Sequence, residues 1–274
     1  MFVLSHRKLL ARRLLDHRKA IATERKRNED ALFRQANFDK VTGLANRHLL
    51  FERINRSIRN AEEKDESFAM LLVDLDGFKT VNELRGNENG DQLLAEVGNR
   101  LLELCDFDKV ARLGADEFAI LVTGDVQSSR IARLAQEILK RLSEPYRMDG
   151  QESFIGASIG IALYPTDAGK AADLLQNAET ALHRAKRAGR NAWRFFTDKM
   201  REDSRLRTGL ENDLRRSWER REFDIMYQPI IDLKTGNITA AEALIQWRHP
   251  DRGRVATQSI IPIIEDIGLI GVIG

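Results

Sequence analysis

Ala111-Arg112-Leu113-Gly114-Ala115-Asp116-Glu117-Phe118-Ala119-Ile120-Leu121-Val122 sets two short apolar runs either side of a small-residue pair and two adjacent carboxylates. Apolar arms around a glycine-bearing tip predict a β-hairpin, with arms over about 108–113 and 117–123 and acids at or just after the turn. Acids at a tight turn suit a metal ion, and glycine there lets a phosphate approach the backbone. A solvated turn has the same composition. A second acidic strand end upstream, Leu71-Leu72-Val73-Asp74-Leu75-Asp76-Gly77-Phe78-Lys79, turns the reading toward a site.

Working outward, Asn46 is a candidate N-cap for a helix over 47–60 with Leu50, Ile54 and Ile58 on one face, and 61–67 reads as a charged loop. Phe68 to Leu75 is apolar enough for a strand buried on both faces. A helix over about 77–85 follows, then Gly86 to Asp91 as a turn by its glycines and asparagines, then a helix over 91–104. Downstream of the hairpin the periodicity predicts a helix over 128–142 and a strand over 153–163. A helix from Ala171 stopped near Gly189 and a closing strand Trp193–Phe196 complete the unit. Helices alternating with strands, plus one hairpin, predict an α/β sandwich around a mixed sheet.

Residues 5–36 read as one helix uninterrupted by Gly or Pro. Leu10, Leu14 and Ile21 suggest a seam that His17, Glu24 and Asn28 interrupt. Pairing with a second copy and a single helix leading into a domain both fit. Residues 1–36 hold 10 Lys/Arg against 4 Asp/Glu, whereas the whole chain of 274 residues carries a net charge of only +2. Such a leader fits an anionic lipid surface or a solvated helix face. Elsewhere basic residues are balanced and not interleaved with aromatics, which argues against nucleic-acid binding. The single cysteine, Cys105, excludes an intrachain disulfide and points to a reducing compartment. No apolar run approaches the ~20 residues that span a bilayer, and Met1–Leu4 is too short for a signal-peptide core, so a cytoplasmic location is expected. Residues 200–221 read as a charged linker helix. Strands at Phe223–Ile231 and Ile238–Leu244, about the turn Lys234–Asn237, open a second domain that 50-odd residues cannot stabilise alone. Ile260 to Ile273 reads as an exposed apolar tail.

Adjacent strands would bring Asp74 and Asp116 within reach of one cation. Short carboxylates suit Mg²⁺ or Mn²⁺, and zinc-like Cys/His spacing is absent. Phe78 and Lys79 open a helix whose free N–H groups favour a phosphate chain. Lys186 and Arg190, four apart on one face, add positive charge. Asn82 and Asp91 offer hydrogen bonds to a purine, with an aspartate accepting from a ring N–H and an exocyclic amine selecting guanine. Each residue has an ordinary structural reading. Together they point to nucleotide-dependent phosphoryl transfer.

Five further stretches accompany these: Asp39 to Arg47, Gly90-Asp91, Ser158-Ile159-Gly160, Ala185-Lys186 and Gly189-Arg190-Asn191. With Asp74 to Asn82 and Arg112 to Phe118, they make residues 38–199 resemble a GGDEF domain, the diguanylate cyclase family. The resemblance implies a nucleotidyl cyclase-like palm with a largely antiparallel mixed sheet. It also implies condensation of two GTP into cyclic di-GMP and two pyrophosphates, by two domains meeting face to face as a homodimer. Asp74, the Leu75 carbonyl and Asp116 would bind the metal, and Glu117 would assist near the attacking 3′-hydroxyl. Asn82 and Asp91 would read guanine, while Phe78, Lys79, Lys186 and Arg190 would hold the triphosphate. The helix over 1–37 would join the domains and receive a membrane-proximal or sensor partner. A catalytically weak GTP-binding domain that regulates an attached phosphodiesterase is the alternative.

Tyr227-Gln228-Pro229, Glu242-Ala243-Leu244 and Trp247-Arg248-His249-Pro250 resemble the beginning of an EAL domain, the cyclic-di-GMP phosphodiesterase family. The segment 223–274 covers about the first fifth of a barrel domain. It supplies the metal-binding Glu242, has Gln246 where the family has an arginine, and implies no phosphodiesterase activity of its own.

Three departures stand out. Ala115 replaces the second glycine of the signature, at a cost of roughly 1 kcal/mol if φ is positive there. The family's inhibitory product site, R-x-x-D, aligns with Cys105-Asp106-Phe107-Asp108, where a thiol cannot make the arginine's bidentate phosphate contacts. His183 and Asn87 stand where tyrosine and histidine are usual.

Overall fold

The structure, a computed structural model, describes residues 23–124, 126–148, 150–217, 220, 222–255, 257–269 and 271. The chain divides into two compact units, at Asp198–Lys199. The expected helix over 5–36 is described from residue 23, as helix α1 over 23–37; Leu10, Leu14, His17 and Ile21 lie outside the described residues. Among the described residues no helix is long and apolar enough to cross a membrane.

In the first unit, α2 (Arg47–Lys64), β1 (Phe68–Asp76), α3 (Phe78–Arg85), α4 (Asn87–Leu104), β2 (Val110–Gly114) and β3 (Glu117–Thr123) follow α1. Then come α5 (Ser128–Leu142), β4 (Tyr146–Met148), β5 (Gln151–Ser153), β6 (Gly156–Tyr164), α6 (Ala171–Arg187) and β7 (Trp193–Phe195). The main sheet has the order β2-β3-β1-β6-β7, antiparallel except for the parallel β6–β7 pair across α6. β1 is central because its side chains are apolar on both faces. Ala69, Leu71, Val73 and Leu75 join Leu94, Val97 and Leu101 of α4 and Ile131 and Ile138 of α5 in one core. By the two-residue period of a strand, Phe68, Met70 and Leu72 face the other side, where α2 and α6 pack.

Gly160 sits opposite Leu72 on that second face. A Cβ on Gly160 would lie 2.0 Å from the Ala178 carbonyl oxygen and 2.3 Å from the Leu182 nitrogen, so α6 rests directly on β6. Ala178, Ala181 and Ala185, all buried, make that approach possible. Asp74 and Asp76 continue the face beyond Leu72, and α6 runs toward them.

Several boundaries differ from expectation. α2 continues to Lys64 through residues read as a loop, ending on Asp65 with φ of 55°. Its N-cap is Asn46, whose side chain accepts from the Leu49 N–H at 3.1 Å. Gly86 to Asp91 is not a turn: Gly86, with φ of 81°, separates α3 from α4, and Asn87 already begins α4. Gly90 is helical because α3 and α4 touch there; a Cβ on it would fall 1.9 Å from Asn82 Oδ1. The short β4–β5 hairpin precedes β6, which starts three residues later than read.

The second unit contains α7 (Asp198–Ser217), β8 (Phe223–Ile231), β9 (Ile238–His249), β10 (Gly253–Val255) and α8 (Thr257–Asp266), with sheet order β10-β9-β8. No closed barrel forms among its described residues. β9 outruns the reading by five residues because Trp247, fully buried, lies opposite Phe223 in register. The expected exposed tail is a correction: Ile260, Ile263 and Ile264 are buried with Leu214 and Trp247 on the inner side of α8. The helix read as a linker thus supplies part of this core through Leu214.

Candidate active site

The signature stretch is a hairpin, and its two-residue tip is Ala115-Asp116. Asp116 lies in the turn, and Glu117 is the first residue of β3, as the expected arm over 117–123 has it, directly opposite Asp74 in β1. The Leu75 N–H donates to the Asp116 carbonyl at 3.2 Å and ties the turn to the end of β1. Ala115 has φ of 32° and Gly114 φ of 149°, so the backbone penalty at Ala115 is present.

Arg112 holds this turn from below. Its Nη2 donates to the Ala115 carbonyl at 2.7 Å, and its Nη1 to Asp39 Oδ1 at 2.9 Å. Asp39 also accepts from the Thr42 N–H at 2.9 Å and the Thr42 hydroxyl at 2.8 Å. Partial burial alone would raise the Asp39 carboxyl, but the Thr42 amide, the Arg112 guanidinium and the Thr42 hydroxyl hold it below the ordinary carboxylate range. The stretch Asp39 to Arg47 is thus a brace for the turn. That role has no signal in the sequence, because Asp39 and Arg112 lie 73 residues apart.

Asp74 is buried and paired with Lys186 of α6, Nζ to Oδ2 at 2.6 Å. Burial pushes the Asp74 carboxyl up, Lys186 opposes this, and the Asp116 and Asp76 charges add to the rise. Glu117 is likewise raised by burial, then by Asp74, Glu179 and Asp116, against Lys186. The hairpin, β1 and α6 therefore gather a surplus of carboxylate near one lysine. That donor set, with the Leu75 carbonyl, suits a hard divalent cation that completes its shell with water and phosphate oxygens. Asp74, Leu75 and Asp116 are the residues that would hold it. No group of three or more His, Cys, Asp or Glu side chains forms an all-protein metal cage among the described residues.

Phe78 is buried at the start of α3, after Gly77 (φ of 83°), which provides no side-chain cap for the first-turn amides. Lys79 is exposed, with its ammonium 3.6 Å from Glu83 of the same helix, outside the carboxylate cluster. Asn82 Oδ1 is buried against Gly90, with no hydrogen-bond partner among the described residues. Asp91 is exposed on α4, one residue after that contact. Arg190 is exposed in a left-handed turn (φ of 62°) just past the end of α6. Asp76 and Ser158, to which no role was given, are joined within this region at 2.9 Å. Glu242 belongs to the second unit, exposed on β9 opposite Gln228.

The family model described as "Diguanylate cyclase, GGDEF domain" matches residues 36–192, and that described as "EAL domain" matches 211–274. The chain is 39% identical over 267 residues to the bifunctional diguanylate cyclase/cyclic di-GMP phosphodiesterase MucR of Pseudomonas aeruginosa, covering 97% of this chain and 39% of that protein. It is 35% identical over 242 residues to the cyclic di-GMP phosphodiesterase NbdA of the same organism, covering 88% and 31% respectively. The chain thus spans well under half the length of these curated relatives. Among solved structures, the GGDEF domain alone of PA1120 (TpbB or YfiN) from Pseudomonas aeruginosa is 34% identical with a TM-score of 0.59, covering 61% of this chain and 99% of that one.

Proposed function

This chain belongs to the GGDEF-domain family of diguanylate cyclases, and from that premise we propose that residues 38–199 condense two GTP into cyclic di-GMP and two pyrophosphates. One GTP would be held per copy, and two copies would meet so that each 3′-hydroxyl faces the other's α-phosphate. The observation that carries this reading is the assembly of Glu117, Asp74 and Lys186 at one end of the sheet, with Asp116 in the adjoining turn.

In each half-reaction the 3′-oxygen bonds to the α-phosphorus, pyrophosphate leaves, and the hydroxyl proton is released. Glu117 assists at that hydroxyl. Lys186 and Arg190 neutralise the triphosphate. Asn82 and Asp91 hydrogen-bond the guanine, with Asp91 accepting from its N–H donors. A Mg²⁺ or Mn²⁺ held by Asp74, Leu75 and Asp116 would supply charge neutralisation and lower the pKa of the attacking hydroxyl.

A second reading has one specific observation behind it. Ala115 carries its methyl on a left-handed residue at the tip where ribose and phosphate would approach, which favours a GTP-binding module of low turnover acting on an attached phosphodiesterase domain. Incubation of nucleotide-free protein with GTP and Mg²⁺, separated by chromatography, decides between them. Cyclic di-GMP from the wild type and none from Asp116→Asn is the result expected of a cyclase. Mg²⁺-dependent GTP binding without product would shift the function to regulation, and no GTP binding would sink both readings.

A further inference from the structure

The turn that carries Arg190 is held by a residue on a different strand. After α6 ends, Gly189, Arg190 and Asn191 take φ of 117°, 62° and 44°, two of them non-glycine residues in the left-handed region. Such a run persists only where the surroundings over-determine it. Here Asp76 Oδ2 accepts from the Asn191 N–H at 3.0 Å. Ser158 Oγ, fully buried, donates to Asp76 at 2.9 Å from Oδ1 and 3.0 Å from Oδ2, which orients the carboxylate. Behind the turn the Ile159 N–H donates to the Ala192 carbonyl at 2.9 Å, and the Arg190 N–H donates to Lys186 at 3.2 Å. Opposite Asp76 in register is Gly156, where a Cβ would stand 3.4 Å from Asp76 Oδ2 and 3.7 Å from the Asn191 Cβ. The chain from Ser158 through Asp76 to Asn191 is therefore continuous, and Arg190 is its next residue.

We propose that Asp76 is a positioning residue for the nucleotide's polyphosphate, fixing through the Asn191 amide the turn that presents Arg190. This rests on the reading that Arg190 meets a triphosphate. Asp76 acts as a hydrogen-bond acceptor rather than as a charge. It shares the strand end with Asp74, so the metal-binding edge and the phosphate-binding turn are set by neighbouring residues of one strand.

The test is GTP affinity with Mg²⁺, by calorimetry, in the full chain and in Asp76→Ala, Asp76→Asn, Arg190→Ala and the double variant Asp76→Ala/Arg190→Ala. Asparagine can still accept from Asn191 through its oxygen and donate to Ser158 through its amide. Asp76→Ala should weaken binding about tenfold, the size of one lost hydrogen bond. Asp76→Asn should stay within about threefold of wild type, and Asp76→Ala should cost less than about twofold once Arg190 is alanine, as coupled residues do. If Asp76→Asn falls as far as Asp76→Ala, or if the tenfold loss persists without Arg190, the proposal is wrong. If Asp76→Ala does not fold, Ser158→Ala takes its place, with a smaller loss expected that again vanishes without Arg190; an undiminished loss overturns the proposal equally. A wild-type chain that binds no GTP would instead overturn the functional reading, and this inference with it.

Discussion

Ala115→Gly addresses strain and steric fit at the same atom. With φ of 32°, Ala115 sits where an L-residue is penalised by roughly 1–2 kcal/mol. The turn cannot relax cheaply, because the Ala115 carbonyl is held by Arg112 at 2.7 Å and the next carbonyl by the Leu75 N–H at 3.2 Å. The methyl is exposed, so removing it forfeits little burial. Glycine returns about 0.4–1 kcal/mol through the greater freedom of the unfolded chain. The net is a stabilisation of about 0.5–1 kcal/mol, or a rise in Tm of about 1–3 °C for a domain of this size. If the methyl also blocks approach to the acids, turnover should rise about tenfold, a barrier change of about 1.4 kcal/mol. The assays are a thermal melt and initial rates of cyclic di-GMP formation at saturating GTP, with Asp116→Asn as the blank. A lower Tm would refute the strain argument. Unchanged turnover alongside a higher Tm would show that strain is real and the steric objection empty.

Other perturbations have equally definite outcomes. Arg112→Ala removes the brace under the signature turn and should cost about 2–3 kcal/mol, read by denaturant melts, since Arg112 is buried while Asp39 keeps its Thr42 partners. Because the Asp39 carboxyl is lowered on folding, its stabilisation is complete above about pH 4 and is lost as the pH falls through the folded value; Arg112→Ala should therefore flatten the acid limb of the stability profile. Gly160→Ala puts a methyl 2.0 Å from the Ala178 carbonyl and should destabilise by more than about 3 kcal/mol; a near-neutral melt would mean that α6 can lift off the sheet. The Cys105 thiol is pushed up to about 11 by burial and by Asp106, so its alkylation by iodoacetamide at pH 8 should run about a hundredfold slower than that of an exposed cysteine and rise steeply with pH. A rate already at its plateau at pH 8 would contradict that environment.

The main sheet was legible because its strands are extreme cases. Phe68 to Leu75 is apolar on both faces and turned out to be the central strand, and the hairpin around Gly114-Ala115 has its arms within two residues of where the apolar runs put them. The errors come from tertiary contacts that override local preference. Gly90 has turn chemistry, yet it is helical, and α3 and α4 touch there because Asn82 has a neighbour without a Cβ. Ile260 to Ile264 looked like an uncovered tail because one of their partners, Leu214, lies in the helix read as a linker, 46 residues before Ile260. At the site, the acids and Lys186 could be picked out by type and spacing. Lys79 could not be placed that way, since the choice between the nucleotide pocket and Glu83 on its own helix is one of rotamer, not of periodicity. Arg112–Asp39 and Ser158–Asp76 were illegible as pairs, being 73 and 82 residues apart.

That separation bears on how the protein comes into being on the ribosome. β1 finds its first neighbour, β3, about 50 residues downstream and its second, β6, up to 96 residues downstream, as Phe68 opposite Tyr164. Lys186 and Arg190 emerge later still. A nascent chain therefore carries its carboxylates through a long interval with one edge of β1 unpaired and no lysine beside Asp74. Loop-closure entropy of this kind makes such topologies slow to fold. Only when α6 and the turn after it have been made can Lys186 meet Asp74 and Asn191 meet Asp76, so the acids and cations become parts of one object near the end of this domain's synthesis.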